Sequence, residues 1–182
     1  MTNESFKEFE HKYVLDPNTD VDVLFEKLRT LPGGKEKSLE VSDHYYYDPS
    51  NPDFVYRHRK DREIQQLTVK SYGGDARDRL EINLELLNDR SQGKAIESFF
   101  KTIGNYQKRI IEKSIRVIDF PDCECVYYKA TNGIETVYCF EFEALGVENL
   151  ADAIRIMDRY EKITGFDPAT RCHDSLFDLL KS

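Results

Sequence analysis

Glu8, Glu10 and Lys12 recur at every second residue, so an extended strand points all three charges to one side. Ionised groups left unpaired in a dry interior are very costly. That side must therefore meet water, opposite charge, a metal or an anionic ligand. A single such strand would ordinarily just face solvent. Here the pattern recurs, segregated by sign: Arg57 and Arg59 share a face, Lys70 follows Leu67-Thr68-Val69, Arg79 and Glu81 share a face, and so do Glu141 and Glu143. If these faces converge, the cations can neutralise phosphate oxygens. The carboxylates can hold Mg²⁺ or Mn²⁺, hard ions that take oxygen ligands shared between protein, water and phosphate.

The elements that must carry these faces follow from periodicity. Phe6 to Leu15 alternates as a strand, broken by Pro17-Asn18, after which Thr19 or Asp20 caps a helix with Val23, Leu24, Leu28 and Leu31 on its apolar side, ending at Pro32-Gly33-Gly34. Strand patterns return over Glu40–Tyr47, Phe54–Lys60, Gln65–Tyr72 and Arg79–Leu87, with Gly73-Gly74 marking a hairpin before Arg79. Ser91 to Ile103 reads as a helix presenting Ile96, Phe99, Phe100 and Ile103, closed by Gly104-Asn105. Tyr106–Ile118, Cys123–Ala130 and Thr136–Leu145 complete eight strands, the last two joined by Thr131-Asn132-Gly133. A helix over Leu150, Ile154, Met157 and Ile163 stops at Gly165, and a final helix opens at Asp167-Pro168. Eight strands with helices between them predict an α+β chain built as a closed antiparallel β-barrel with helices packed outside, since closure removes exposed sheet edges. A barrel turns alternate residues inward, so the charged faces would line one lumen.

Bulk properties set the context. The 182 residues fit a single domain spanning 1–182, and 40% hydrophobic with 33% charged residues is the balance of an ordered chain. A net charge of −8 argues against binding a nucleic-acid duplex, which needs a dominant basic surface. The N-terminus has no apolar signal core and no later stretch reaches membrane-spanning length, so a cytoplasmic location and no membrane partner are expected. Cys123, Cys125, Cys139 and Cys172 read as free thiols. His11, His44, His58 and His173 are scattered, with no C-x-x-C pair to join them in a zinc site. Tyr45, Tyr46 and Tyr47 read as strand packing, and Lys60, Asp61 and Arg62 as a turn.

Glu8-Phe9-Glu10-His11-Lys12 resembles the E-x-E-x-K strand that opens the CYTH domains, or triphosphate tunnel metalloenzymes. The similarity continues in order through Arg57-His58-Arg59, Leu67-Thr68-Val69-Lys70, Arg79-Leu80-Glu81, Ile110-Ile111-Glu112-Lys113 and Glu141-Phe142-Glu143, and ends with a closing helix in Cys172–Leu180. The resemblance implies an eight-stranded tunnel. Metal falls on Glu8, Glu10, Glu81, Glu141 and Glu143, triphosphate on Lys12, Arg57, Arg59, Lys70, Arg79, Lys113 and Arg116, and catalysis on Glu8, Glu10, Lys12, Arg59 and Lys70. It implies a metal-dependent triphosphatase acting on tripolyphosphate or an organic triphosphate. A class IV adenylyl cyclase, a thiamine triphosphatase and a non-catalytic triphosphate binder are the alternatives, and homodimerisation is left open.

Three positions depart from the family pattern. The sixth-strand basic pair is usually K-x-R, yet Arg116 lies three residues after Lys113 and needs a bulge to share its face, whereas Arg109 has the right parity without one. The family's next strand usually carries an Asp where this chain reads Val126-Tyr127-Tyr128-Lys129, with Asp122 or Glu124 as substitutes. Asn83 is neutral where an acid is common, and Asp48 loosely matches a family Tyr–Asp position.

Overall fold

The structure is a computed structural model that describes residues 7–61, 64–71, 79–87, 90–104 and 106–180, without the side chains of Pro52, Arg79, Arg90 and Ser91. Phe6, Arg62, the Gly73-Gly74 turn and Asn105 lie outside the described residues. In chain order the elements are β1 (Lys7–Glu8), β2 (Glu10–Val14), α1 (Val21–Arg29), β3 (Lys35–Asp48), β4 (Asn51–Lys60), β5 (Gln65–Ser71), β6 (Arg79–Leu86), α2 (Arg90–Ile103), β7 (Gln107–Asp119), β8 (Cys123–Thr131), β9 (Thr136–Ala144), α3 (Leu150–Thr164) and α4 (Leu176–Leu179).

The strands pair antiparallel in the order β1-β6-β5-β4-β3-β7-β8-β9-β2. The first and last members are consecutive in sequence. β1 pairs with β6, β2 pairs with β9, and Phe9 alone separates them, its carbonyl accepting from Ala144 N at 3.0 Å. One chain segment therefore crosses from one free edge to the other and nearly closes the barrel. The eight strands read from the sequence become nine because this segment is divided at Phe9. The inward alternation of Glu8, Glu10 and Lys12 survives the division, and Phe9 is left facing out into a core it shares with Tyr13, Phe140, Phe142, Phe25 of α1 and Met157 of α3.

α1 is capped by Asp20, whose side chain accepts from Asp22 N and Val23 N, and it buries Phe25 and Leu28. Val23, expected on the apolar side, is exposed, and Val21 and Phe25 join Leu24, Leu28 and Leu31 on the packed face instead. α2 seats Phe100 against Tyr46 and Tyr56, while Phe99 and Ile103 are more than half exposed. α3 begins at the Asn149 cap and stops at Gly165, whose φ of 89° is open to glycine at no steric cost. The final helix expected at Asp167-Pro168 is instead a single 3₁₀ turn over Pro168–Thr170. An extended stretch follows, with Cys172 N bonded to Lys12 O at 2.7 Å, and α4 starts only after the Ser175 cap. The four cysteines are free thiols.

Candidate functional site

Alternation along the strands delivers the charged faces to one cavity of about 620 Å³ in the lumen. Glu8, Glu10 and Lys12 enter it from β1 and β2, Arg57 and Arg59 from β4, Lys70 from β5, Glu81 from β6, Lys113 from β7, and Glu141 and Glu143 from β9. The C-terminal segment, through residues such as Asp174, Leu176 and Phe177, covers one side of this space.

Each cation is held by acid. Asp43, fully buried on β3, accepts two bonds of 2.9 Å from Arg59 and lies 2.7 Å from Lys113. Burial alone would raise its carboxyl, but Lys113 and Arg59 outweigh it and hold Asp43 well below the usual carboxylate range. Arg57 reaches Thr68 at 3.2 Å and Glu81 at 3.3 Å. Lys70 bonds Glu8 at 2.9 Å and also contacts Glu81. Lys12 lies 2.9 Å from Glu10 and 3.2 Å from Glu141, which also accepts from Tyr128 Oη at 2.6 Å. Burial disfavours charge on Arg57 and Lys70, yet their acidic neighbours prevail and raise both above their ordinary values. Both therefore remain cationic near neutrality and can exchange a carboxylate partner for a phosphate oxygen.

The acids crowd elsewhere. Glu10 pairs with Glu143 across β2–β9, and Glu143 pairs with Glu124 across β9–β8, so three carboxylates stand abreast on neighbouring strands. Like charges placed directly opposite are destabilising unless something compensates them. Burial, with Glu8, Glu124 and Glu81 adding to it, raises Glu143 well above the usual range. Burial likewise pushes Glu8 up to about 7, against the pull of Lys70. An all-oxygen donor set with excess negative charge fits Mg²⁺ or Mn²⁺ rather than a sulfur-seeking ion. Glu124 is the acid in the lumen where the strand otherwise reads Val126 and Tyr128. Asp122 instead accepts from Arg159 and Tyr160, both at 2.8 Å, away from the cavity.

Several sequence assignments are corrected. β7 runs without a bulge past Lys113, so Arg116 falls on the outer face, 2.8 Å from Asp22, 3.3 Å from Glu36 and stacked over Phe25. Arg109 shares the parity of Lys113, but its guanidinium binds the carbonyls of Phe177 and Leu180 at 3.0 Å and braces the C-terminal segment. Arg79 lies in β6 opposite Glu8, its side chain outside the described residues. Asp48 accepts from Ser50 in the β3–β4 turn. Asp43 was missed, although an acid alternating with Val41 and Tyr45 in a strand of apolar inward residues was the available signal. Among the described residues, the ligand-capable atoms of His11, Asp158 and Glu161 lie within 4.8 Å of one another, but outside the lumen, with Asp158 and Glu161 already engaged by Arg171 and His11 by Glu161.

Neither a protein-family model nor a curated protein matches the chain. Solved structures do share its fold. The PH1012 protein of Pyrococcus horikoshii superposes with a TM-score of 0.75 at 13% identity, covering 95% of this chain and 99% of that one. A candidate adenylate cyclase of Bacillus halodurans gives 0.66 at 15% identity over 97% and 100%. HpAC1 of Hippeastrum, a candidate adenylyl cyclase described as having a dominant triphosphatase activity, gives 0.65 at 12% identity over 96% and 95%.

Proposed function

We propose that the chain is a CYTH-type tunnel protein that binds a triphosphate inside its barrel and hydrolyses it with a divalent cation. The reading rests on one observation: Lys12, Arg57, Arg59, Lys70 and Lys113 share a single cavity with the carboxylate row of Glu10, Glu143 and Glu124. Opposed charges of this kind suit a polyanion and its counter-cation together, because neither alone would balance both sets.

The carboxylate row would hold Mg²⁺ or Mn²⁺, which when bound supplies charge neutralisation on phosphate oxygens and a water of lowered pKa. The chain's own residues do the rest. Arg57 and Lys70 trade Glu81 and Glu8 for phosphate oxygens. Arg59 and Lys113 stay anchored on Asp43, which fixes their direction before substrate arrives. Such positioning and charge stabilisation account for most of phosphoryl-transfer catalysis. The covered side of the lumen limits access of bulk water, which strengthens each charge interaction inside.

Cyclisation of ATP is the second reading, supported by the candidate cyclases that share the fold. Product identity separates the two. ATP incubated with the protein and Mg²⁺ should give orthophosphate; cyclic AMP with pyrophosphate would establish the cyclase instead. Binding without either product would leave a triphosphate-binding module.

A further inference from the structure

The lumen is not charged all round. On β3, β7 and β8 the inward residues include Leu39 and Val41, Ile115 and Val117, and Val126 and Tyr128. They are register neighbours: Leu39 faces Ile115, Ile115 faces Tyr128, and Val117 faces Val126. They therefore form one continuous apolar patch on the wall of the same cavity, with a charged residue ending it on each strand at Lys37, Lys113 and Glu124. Asp43, two residues past Val41 on β3, is taken up by Arg59 and Lys113, and the other charges described above lie on β1, β2, β4, β5, β6 and β9.

A tunnel serving only phosphate chains gains nothing from this wall. Each phosphate oxygen turned toward Ile115 or Val126 would shed its water without meeting a donor, which is unfavourable. The space is also generous. At ~30 Å³ per water in the liquid, about 620 Å³ exceeds what a bare chain of three phosphates fills, and it falls within the range of cavities that enclose organic ligands. Tyr128 adds a buried ring at the edge of the patch, with Lys113 Nζ 5.5 Å from its centroid.

We propose that the substrate is an organic ester of triphosphate, with an apolar or aromatic group lying on the β3–β7–β8 wall and its phosphates on Lys12, Arg57, Arg59 and Lys70, and that inorganic tripolyphosphate is the poorer substrate. This rests on the hydrolytic reading above. The step is attack of a water oxygen on the terminal phosphorus, with cleavage of the bond to the bridging oxygen. It releases orthophosphate and the diphosphate ester, and one proton passes to solvent.

The test compares kcat/KM for phosphate release from tripolyphosphate, methyl triphosphate and phenyl triphosphate with Mg²⁺. The phenyl ester should lead by at least about 10-fold, the discrimination a single extra methylene group can give in an apolar pocket, and Ile115→Lys should narrow that lead. Tripolyphosphate equal to or better than the phenyl ester overturns the inference while leaving hydrolysis intact. If no compound is turned over, hydrolysis fails, and calorimetry with the same three compounds decides. Tighter binding of the phenyl ester by about 10-fold upholds the wall as a subsite, whereas equal binding or none overturns it.

Discussion

Asp43 and Arg59 lie opposite each other in the β3–β4 register and close two hydrogen bonds of 2.9 Å across it. Lys113, from the strand on the other side of β3, reaches the same carboxylate. One buried acid thus fixes two cations from two flanking strands before any substrate is present.

Asp43→Ala should leave Arg59 and Lys113 buried without compensation. Breaking a buried pair typically costs about 3–5 kcal/mol, which in a chain of this size lowers Tm by ~10 °C. Tripolyphosphate should then raise the variant's Tm by more than it raises that of the wild type, because phosphate replaces the missing carboxylate. Thermal unfolding with and without tripolyphosphate measures both effects, and equal ligand-induced shifts would count against an anion site there.

Arg57 and Arg116 carry the same side chain on opposite sides of the barrel wall. Arg57→Ala removes a cation from the lumen and should reduce phosphate release by on the order of 10²-fold or more. Arg116→Ala breaks partly exposed pairs with Asp22 and Glu36. It should leave turnover within about 2-fold and cost about 1 kcal/mol or less in chemical denaturation. Comparable losses in both variants would contradict the placement of Arg116.

The contrast between these arginines shows what the sequence could convey. Alternation alone was enough to put Glu8, Glu10, Lys12, Arg57, Arg59, Lys70, Glu141 and Glu143 into one cavity, because a strand has a period of two and a barrel has an inside, whereas Lys113 came only with the family resemblance. The same rule left Arg109 and Arg116 as equal candidates beside Lys113, one by parity and the other by way of a bulge; parity does not say how far along the strand a side chain sits, and Arg109 ends on the C-terminal carbonyls. The inward placement of Asp43 could be read from its alternation, but its partners were hidden because they are distant in sequence, and only pairing of β3 with both β4 and β7 brings them together. The division at Phe9 was hidden for a similar reason, since which edge a strand pairs with is decided by closure rather than by local pattern. On and just after α1, Leu24, Leu28 and Leu31 pack as the periodicity placed them, and Phe25 and Val21 take the place given to Val23.

Outside the lumen, Glu161 accepts from Tyr13 Oη at 2.7 Å, meets His11 Nδ1 at 2.8 Å and contacts Arg171. Burial would raise its carboxyl, but bonds from His11, Arg171 and Tyr13 bring it down to about 2. A depressed carboxylate contributes stability that is present above its ordinary value of 4.5 and is lost as pH falls through the folded value. Wild-type stability should therefore drop between about 4.5 and about 2. Glu161→Gln should be less stable at neutral pH and flatter across that window. Denaturant midpoints measured from pH 7 to pH 2 check this, and an unchanged acid slope in the variant would remove Glu161 as its source.

The most direct test of the tunnel is phosphate release from a triphosphate with Mg²⁺, compared between the wild type and Glu10→Gln, a substitution that keeps the shape of the side chain and removes its charge. Turnover by the wild type that chelation of the metal stops, and that falls by on the order of 10²-fold in the variant, is the result expected if Glu10 and its in-register neighbours hold the cation. Equal rates in the two proteins, or no release from any triphosphate at any Mg²⁺ concentration, would contradict it.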